Sequence, residues 1–309
     1  MKSKYSFLRS ADVITIYFVF FLTVVEILCA RHFPMWAVYT ISNLVFIIFI
    51  YVSSRYVAAH HEQHFSFVRL ARDWYLVPAI LFIYTQASSL AHPLHLRDYD
   101  NVLISIDRWL FGVNPTQWIS QFALPWITEI LQMAYSSYYL FFIVLFFELY
   151  RRKDMTAFYS GSMLVVYGFY LSYVGYMLVP AVGPRFTLHN FLMINNELPG
   201  VFLTPYLREI INIGGGVPLD AANPIAFIHR DAFPSGHTQL TLVAMYVAFS
   251  NHTQSRWWLF VVGSLLIIST VYMRYHYVID VAAGVAFFFL TIWSGKQIDR
   301  WWNQRIKNV

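Results

Sequence analysis

Long apolar stretches run almost unbroken through this chain, and short polar segments punctuate them. Eight such runs stand out, at roughly 11–30, 36–54, 74–91, 124–149, 156–179, 237–250, 257–273 and 277–295. Most come close to the about 20 residues a helix needs to cross a bilayer. None shows the two-residue alternation of a barrel strand. The pattern predicts an all-α fold, a polytopic membrane helix bundle of about eight transmembrane helices. The run at 237–250 is short, as expected of a helix enclosed by its neighbours. Two longer stretches separate the runs. In 92–123, the segment Asp107-Arg108-Trp109-Leu110-Phe111-Gly112 predicts an amphipathic helix in the interface, with Trp109 and Trp118 at headgroup depth. The stretch 180–234 carries several prolines and Gly214-Gly215-Gly216, and a connection of that length is expected to cover or shape a site.

Charge sharpens this picture. Only 12% of the 309 residues are charged, about half the share in soluble domains. With the N-terminus inside, 14 of the 21 Lys and Arg fall in inside segments and 7 outside. Arg151-Arg152-Lys153 is the sharpest marker, and the asymmetry predicts cytoplasmic termini. The net charge of +5 is thereby explained without a nucleic-acid partner. Residues 1–30 lack a cleavage site after their apolar core and predict an uncleaved first span. Cys29 is the lone cysteine, so no intrachain disulfide forms. The expected organisation is an N-terminal pair of spans over 1–73, a membrane core over 74–295 and a cytoplasmic tail over 296–309.

Under this topology three polar clusters fall at outer span ends: Pro180 to Arg185, Phe233 to Thr238, and Arg274 to Asp280. Ionisable residues at membrane depth are costly and mark function. Phe233-Pro234-Ser235-Gly236-His237-Thr238 has the form of a helix start with Ser235 at the N-cap. The N–H groups there make an anion site suited to phosphate, Gly236 permits close backbone approach, and His237 is placed to donate a proton. An ordinary capped helix with an interfacial histidine is the alternative. His276 and Asp280 are four apart, hence expected on one helix face, a spacing that sets a carboxylate against an imidazole and frees the other ring nitrogen for attack. The alternative is a buried pair that satisfies itself. Arg185 and Arg274 are candidate phosphate clamps, or else arginines snorkelling to headgroups. His60-His61-Glu62-Gln63-His64 departs from the zinc-protease pattern at Phe65 and predicts a solvated loop, so no metal and no other cofactor is expected.

On these residues the chain resembles the type 2 phosphatidic acid phosphatase superfamily, membrane relatives of vanadium haloperoxidases. The likeness covers about 74–295, with Phe233-Pro234-Ser235-Gly236-His237 matching the second motif and His276, Asp280 and Val281-Ala282-Ala283-Gly284 the third. It implies His276 as nucleophile, Asp280 as its orienting partner, His237 as acid, and backbone at Ser235 and Gly236 as phosphate holder. The usual first-motif lysine is Leu178 here, Phe186 follows Arg185, and Ser269-Thr270 replaces Ser-Arg. Thr270 and Arg274 are spaced to share a helix face, so that Arg274 replaces the missing guanidinium. The variant Gly-Pro-Arg and His-Tyr-x-x-Asp pattern, and the Asp107–Gly112 segment, are similar to the inositol phosphorylceramide synthase and sphingomyelin synthase branch.

The expected activity is that of a lipid phosphatase or phosphotransferase passing a phospho-headgroup through a phosphohistidine, with a phospholipid substrate in the bilayer and the site on the non-cytoplasmic side. Water and an alcohol such as inositol call on the same residues as acceptor, so hydrolase and transferase both fit. The rival is a non-catalytic lipid-binding or transport protein.

Overall fold

The computed structural model describes residues 7–60, 67–95, 97–218 and 221–307. Lys2, Lys4 and His61 to His64, which entered the charge and metal readings, lie outside them. Among the described residues every regular element is helical. The helices are α1 (Ser10–Leu28), α2 (Trp36–Ala59), α3 (Phe67–Trp74), α4 (Leu76–Leu94), α5 (Asp100–Phe111), α6 (Pro115–Ile119), α7 (Pro125–Ser136) and α8 (Tyr138–Arg151). They continue with α9 (Met155–Leu178), α10 (Pro184–Thr187), α11 (Ile194–Glu197), α12 (Thr204–Gly214), α13 (Gly236–Ser250), α14 (Arg256–Tyr272) and α15 (Val278–Lys307).

Among the described residues four helices, α1, α2, α9 and α15, are long and apolar enough to cross a membrane, and the count rises to six if the bent pairs α3–α4 and α7–α8 are each taken as one span. Helices α13 and α14 have 15 and 17 residues. At about 1.5 Å per residue they reach roughly 22 and 26 Å, short of the about 30 Å hydrocarbon core. Of the eight expected spans, four therefore have crossing length as single helices and two more as bent pairs, while α13 and α14 fall short of it. The short run at 237–250 is enclosed as expected, since α13 packs on α9, α14 and α15.

Helix α9 is the central post: 78% of its apolar window is buried, against 22% for α2. Its glycines explain how α13 comes so near. A Cβ at Gly161 would press on Val247, one at Gly168 on Leu240, and one at Gly175 would collide with Pro234. Three small residues seven apart therefore make a groove for α13 along two turns at a time. Gln239 then locks the contact. Its amide nitrogen donates to the Gly168 carbonyl and Thr291 Oγ1, both at 3.0 Å, and its oxygen accepts from Ser172 Oγ at 2.5 Å.

The 124–149 run is broken rather than straight, with a 50° bend between α7 and α8. Ser136 and Ser137 sit at the break, and their hydroxyls donate back to the carbonyls of Gln132 and Ala134 at 2.8 and 2.7 Å. Such back-bonding competes with the helix ladder and bends it. At the opposite end of the bundle, a buried ionic cluster ties α1 to α3 and α9. Arg9 reaches Asp73 at 2.7 Å and Tyr159 at 2.9 Å, while Arg72 pairs with Asp12.

Candidate active site

Three helix ends meet at one end of the bundle: the end of α9, the start of α13 and the start of α15. Ser235 is the N-cap of α13, its Oγ accepting the Thr238 N–H at 3.3 Å. The cis Phe233–Pro234 bond precedes it. The Ser235 N–H donates to the Asp280 carbonyl at 2.9 Å, so this donor is engaged within the fold. Gly236 and His237 line the cavity instead.

His276 precedes α15, which starts at Val278, so the four-residue spacing to Asp280 belongs to a capping turn and not to a shared helix face. The nearest partner of His276 Nδ1 is the Ala232 carbonyl at 2.8 Å, with Asp280 Oδ2 at 3.6 Å. A carbonyl oxygen only accepts, so Nδ1 carries the proton and the neutral ring keeps its lone pair on Nε2. That Nε2 faces His237 Nδ1 at 3.5 Å. Asp280 takes the Tyr277 N–H at 2.8 Å, and its Oδ1 is buried without a partner. The break between α7 and α8 furnishes the slot for His237: Tyr135 stacks on its ring at 4.5 Å between centroids and Tyr138 packs at 4.4 Å.

Arg185 enters through the turn Gly183-Pro184, where Gly183 has φ +92° and a Cβ would collide with the Tyr275 carbonyl. Only glycine fits there. The guanidinium lines the cavity, packs over Tyr275 at 4.8 Å and donates to Asn212 Oδ1 at 2.7 Å. Arg274 does not join it. Helix α14 ends at Tyr272, and Arg274 takes φ +66°, which turns its side chain away from any face shared with Thr270. Its guanidinium pairs with Glu197 and donates to Ser120 Oγ at 3.1 Å. What Arg274 gives the site is its carbonyl, which accepts the Arg185 N–H at 3.0 Å.

Two carboxylates hold these turns in place. Asp100 on α5 accepts the N–H groups of Val182 and Gly183 at 3.0 and 2.9 Å and the Tyr277 hydroxyl at 2.8 Å. Asp107, two turns on, accepts the N–H groups of Val278 and Ile279, both at 2.9 Å, and so caps α15 from outside. Burial pushes both carboxyls above their ordinary range, opposed by these donors. The exposed face of α5 carries Trp109, 81% exposed. The amphipathic helix expected at 107–112 is present, with its acids turned inward. These acids were missed as site residues; their seven-residue spacing on one face was the available signal.

The cavity measures about 430 Å³ and is walled by Tyr135, Tyr138, Phe169, Tyr173 and Tyr176. Asp231 also lines it, accepting from the Tyr84 hydroxyl at 2.5 Å, and Tyr84 in turn meets His229 Nδ1 at 2.9 Å. Asp231 lies six residues before His237 and was likewise passed over. The cavity therefore gathers Arg185, Gly236, His237 and His276; Ser235, Asp280 and Arg274 stand behind its wall. Among the described residues no three His, Cys, Asp or Glu side chains group as a metal site.

Neither the curated proteins nor the solved structures provide a match to the chain. A family model described as PAP2 superfamily matches residues 101–294, beginning within α5 and ending in α15. The match takes in Arg185, His237 and His276 and covers well over half the sequence, and on it the chain belongs to the PAP2 superfamily.

Proposed function

We propose that this protein is an integral-membrane lipid phosphotransferase or phosphatase that works through a phosphohistidine on His276. Membership of the superfamily supports phosphatase-type chemistry on lipid phosphates in general. The observation that carries the finer reading is one cavity holding a guanidinium, Arg185, beside two imidazoles whose facing nitrogens lie 3.5 Å apart.

The Nε2 lone pair of His276 attacks phosphorus as the bond to the leaving oxygen breaks. That oxygen takes a proton from His237, and the phosphoryl group remains on His276. Water or an alcohol then attacks the phosphorus and gives its proton to His237, while the N–P bond breaks and returns the lone pair to Nε2. In-line attack sends the leaving oxygen to the side of phosphorus away from His276. The 3.5 Å gap holds no phosphorus atom, so substrate enters by swinging the His237 ring within its tyrosine slot. Arg185 and the first turn of α13 stabilise the charge that develops.

Charge favours a phosphodiester donor. A monoester carries about −1.5 to −2 at neutral pH. Here Arg274 is neutralised by Glu197, leaving Arg185 in a cavity that the carboxylate of Asp231 also lines. A singly charged diester suits that balance better, as in the inositol phosphorylceramide and sphingomyelin synthase branch. The lysine and arginine asymmetry supports a cytoplasmic N-terminus, with the cavity end on the opposite side.

The test is product analysis on purified protein in nanodiscs, with phosphatidic acid and phosphodiester lipids supplied in turn, with and without alcohol acceptors. Acid-labile phosphate on the protein and its loss in His276→Ala are expected. Turnover that survives His276→Ala unchanged removes the mechanism. Binding without turnover of any of these lipids favours the non-catalytic alternative.

A further inference from the structure

Most residues around the catalytic cavity are buried, yet three that line it are also exposed: Tyr139 on α8 (53%), Ile210 on α12 (65%) and Gly214 at the end of α12. They mark its mouth. Tyr139 continues an exposed apolar stripe through Leu140, Ile143 and Phe147. That stripe lies on the α7–α8 pair, which has the length and apolarity of a span. On a spanning helix such a stripe meets acyl chains and not water. Helix α12 has only 11 residues and is amphipathic about the cavity. Leu207 and Ile211 face inward as cavity lining, while Tyr206, Ile210 and Ile213 are exposed. A short helix with a second apolar face turned outward belongs in the bilayer interface.

The frame around the mouth is fixed. Glu129 on α7 accepts the N–H groups of Val201 and Phe202 at 2.8 and 3.1 Å and the Thr204 hydroxyl at 2.7 Å, anchoring the start of α12 beside the span. Beyond Gly214 there is room: a Cβ built there meets nothing within 4 Å. The cavity behind is small. Its roughly 430 Å³ lies in the lower part of the about 300–1,000 Å³ of small-molecule sites. A phosphorylated headgroup fits that space, and two long tails do not.

We propose that the gap between α8 and α12 is an acyl-chain portal, through which a lipid phosphate slides in from the leaflet with its tails against Tyr139, Ile210 and the open side of Gly214. This rests on the lipid-phosphate reading of the site and adds the route and the tail subsite to it. Headgroup transfer then leaves the tails in the membrane throughout, so the substrate need never be lifted into water.

The test separates the two readings, because it needs no turnover. The full chain carrying His276→Ala is placed in nanodiscs with a phosphatidic acid analogue that bears a photoreactive diazirine on one tail. After irradiation, labelled peptides are mapped by mass spectrometry. The expected adducts fall on the Tyr139–Ile143 and Tyr206–Gly214 segments and fall several-fold with excess unlabelled phosphatidic acid. Adducts at generic lipid-facing positions such as Phe20 and Ile48 should not respond. Gly214→Trp, which grows into open space and spares the packing, should reduce the competed labelling several-fold while the thermal midpoint holds. Labelling at α8 and α12 that competitor does not reduce, or competed labelling confined to other helices, overturns the portal. Competed labelling here in a protein that turns over no lipid supports the portal and sinks the catalytic reading alone.

Discussion

The alignment of the two histidines depends directly on Gly284. It lies on α15 where that helix crosses the start of α13. A Cβ there would sit 2.6 Å from the Ser235 carbonyl oxygen, 3.0 Å from Thr238 Cβ and 3.4 Å from the Gln239 nitrogen. Contacts of a real Cβ below 3.0 Å are essentially never seen, so Gly284→Ala must open the gap by at least 0.4 Å. The obstacle is backbone, and it cannot rotate aside: the same carbonyl accepts the Gln239 N–H at 3.0 Å, the first bond of α13. One turn earlier on α15, the Asp280 carbonyl receives the Ser235 N–H. Prising the helices apart there shifts His237 against His276.

Overpacking of this kind costs about 1–3 kcal/mol in stability. A misplacement of about 1 Å in a catalytic constellation costs about 10²-fold, so a shift near half that predicts roughly a tenfold fall in kcat. The assay is the initial rate on a long-chain lipid substrate, paired with thermal unfolding in the same nanodiscs. Gly161→Ala is the matched control. It crowds Val247 and Phe146 on the same helix packing, but meets only side-chain ends and lies two glycine repeats from the site. It should lose stability on the same scale and keep its kcat. Wild-type kcat in Gly284→Ala, or an equal kinetic loss in Gly161→Ala, refutes the reasoning.

Three further outcomes are expected. Asp107→Ala strips the cap from Val278 and Ile279; two partly buried donors left unpaired should together cost about 1–3 kcal/mol, with activity falling alongside, whereas Asp107→Asn should recover part of both. Arg185→Lys keeps the charge but loses the planar fork over Tyr275 and the reach to Asn212, so turnover should fall by about tenfold or more, a bidentate oxyanion contact being worth about 1.5–3 kcal/mol. Burial, and then the neighbouring charge of Arg274, lower His189 from 6.5 to about 4. A depressed histidine is neutral in the fold while the unfolded chain takes up the proton first. Its contribution is therefore present above pH 6.5 and lost as pH falls toward about 4. The thermal midpoint should drop across that window, and an identical drop in His189→Gln would count against this account.

Local chemistry was legible in the sequence; distant support was not. Ser235-Gly236-His237 declared a capped helix start because a cap is made by residues three apart, and the structure gives Ser235 that role. Arg185 was legible through Gly183-Pro184, a turn pair at the end of the apolar run, and the structure sets its guanidinium on the cavity. The pairing of His276 with Asp280 was read from spacing, yet spacing carries that meaning only inside a helix, and α15 starts two residues too late. Arg274 misled for a related reason. It adjoins His276 in sequence, but one left-handed residue sends its side chain to Glu197, 77 residues away.

The supports escaped notice because they act across long separations and through ordinary-looking residues. Asp107 lies 171 residues from the N–H it caps, and Asp100 is 177 from Tyr277. Both belong to a helix whose apolar face advertised only the membrane. That double character explains how the site is built. Three turns at helix ends would fray independently if each answered only to its own helix. A single amphipathic helix, α5, instead ties the Gly183 turn with one buried carboxylate and the start of α15 with another, two turns apart on a rigid rod. Arg185 and His276 are thereby registered to one body, and His237 is registered to the same body through the bond from Ser235 to Asp280. Displacing α5 should then disturb all three together, which damage to any one of the turns alone would not do.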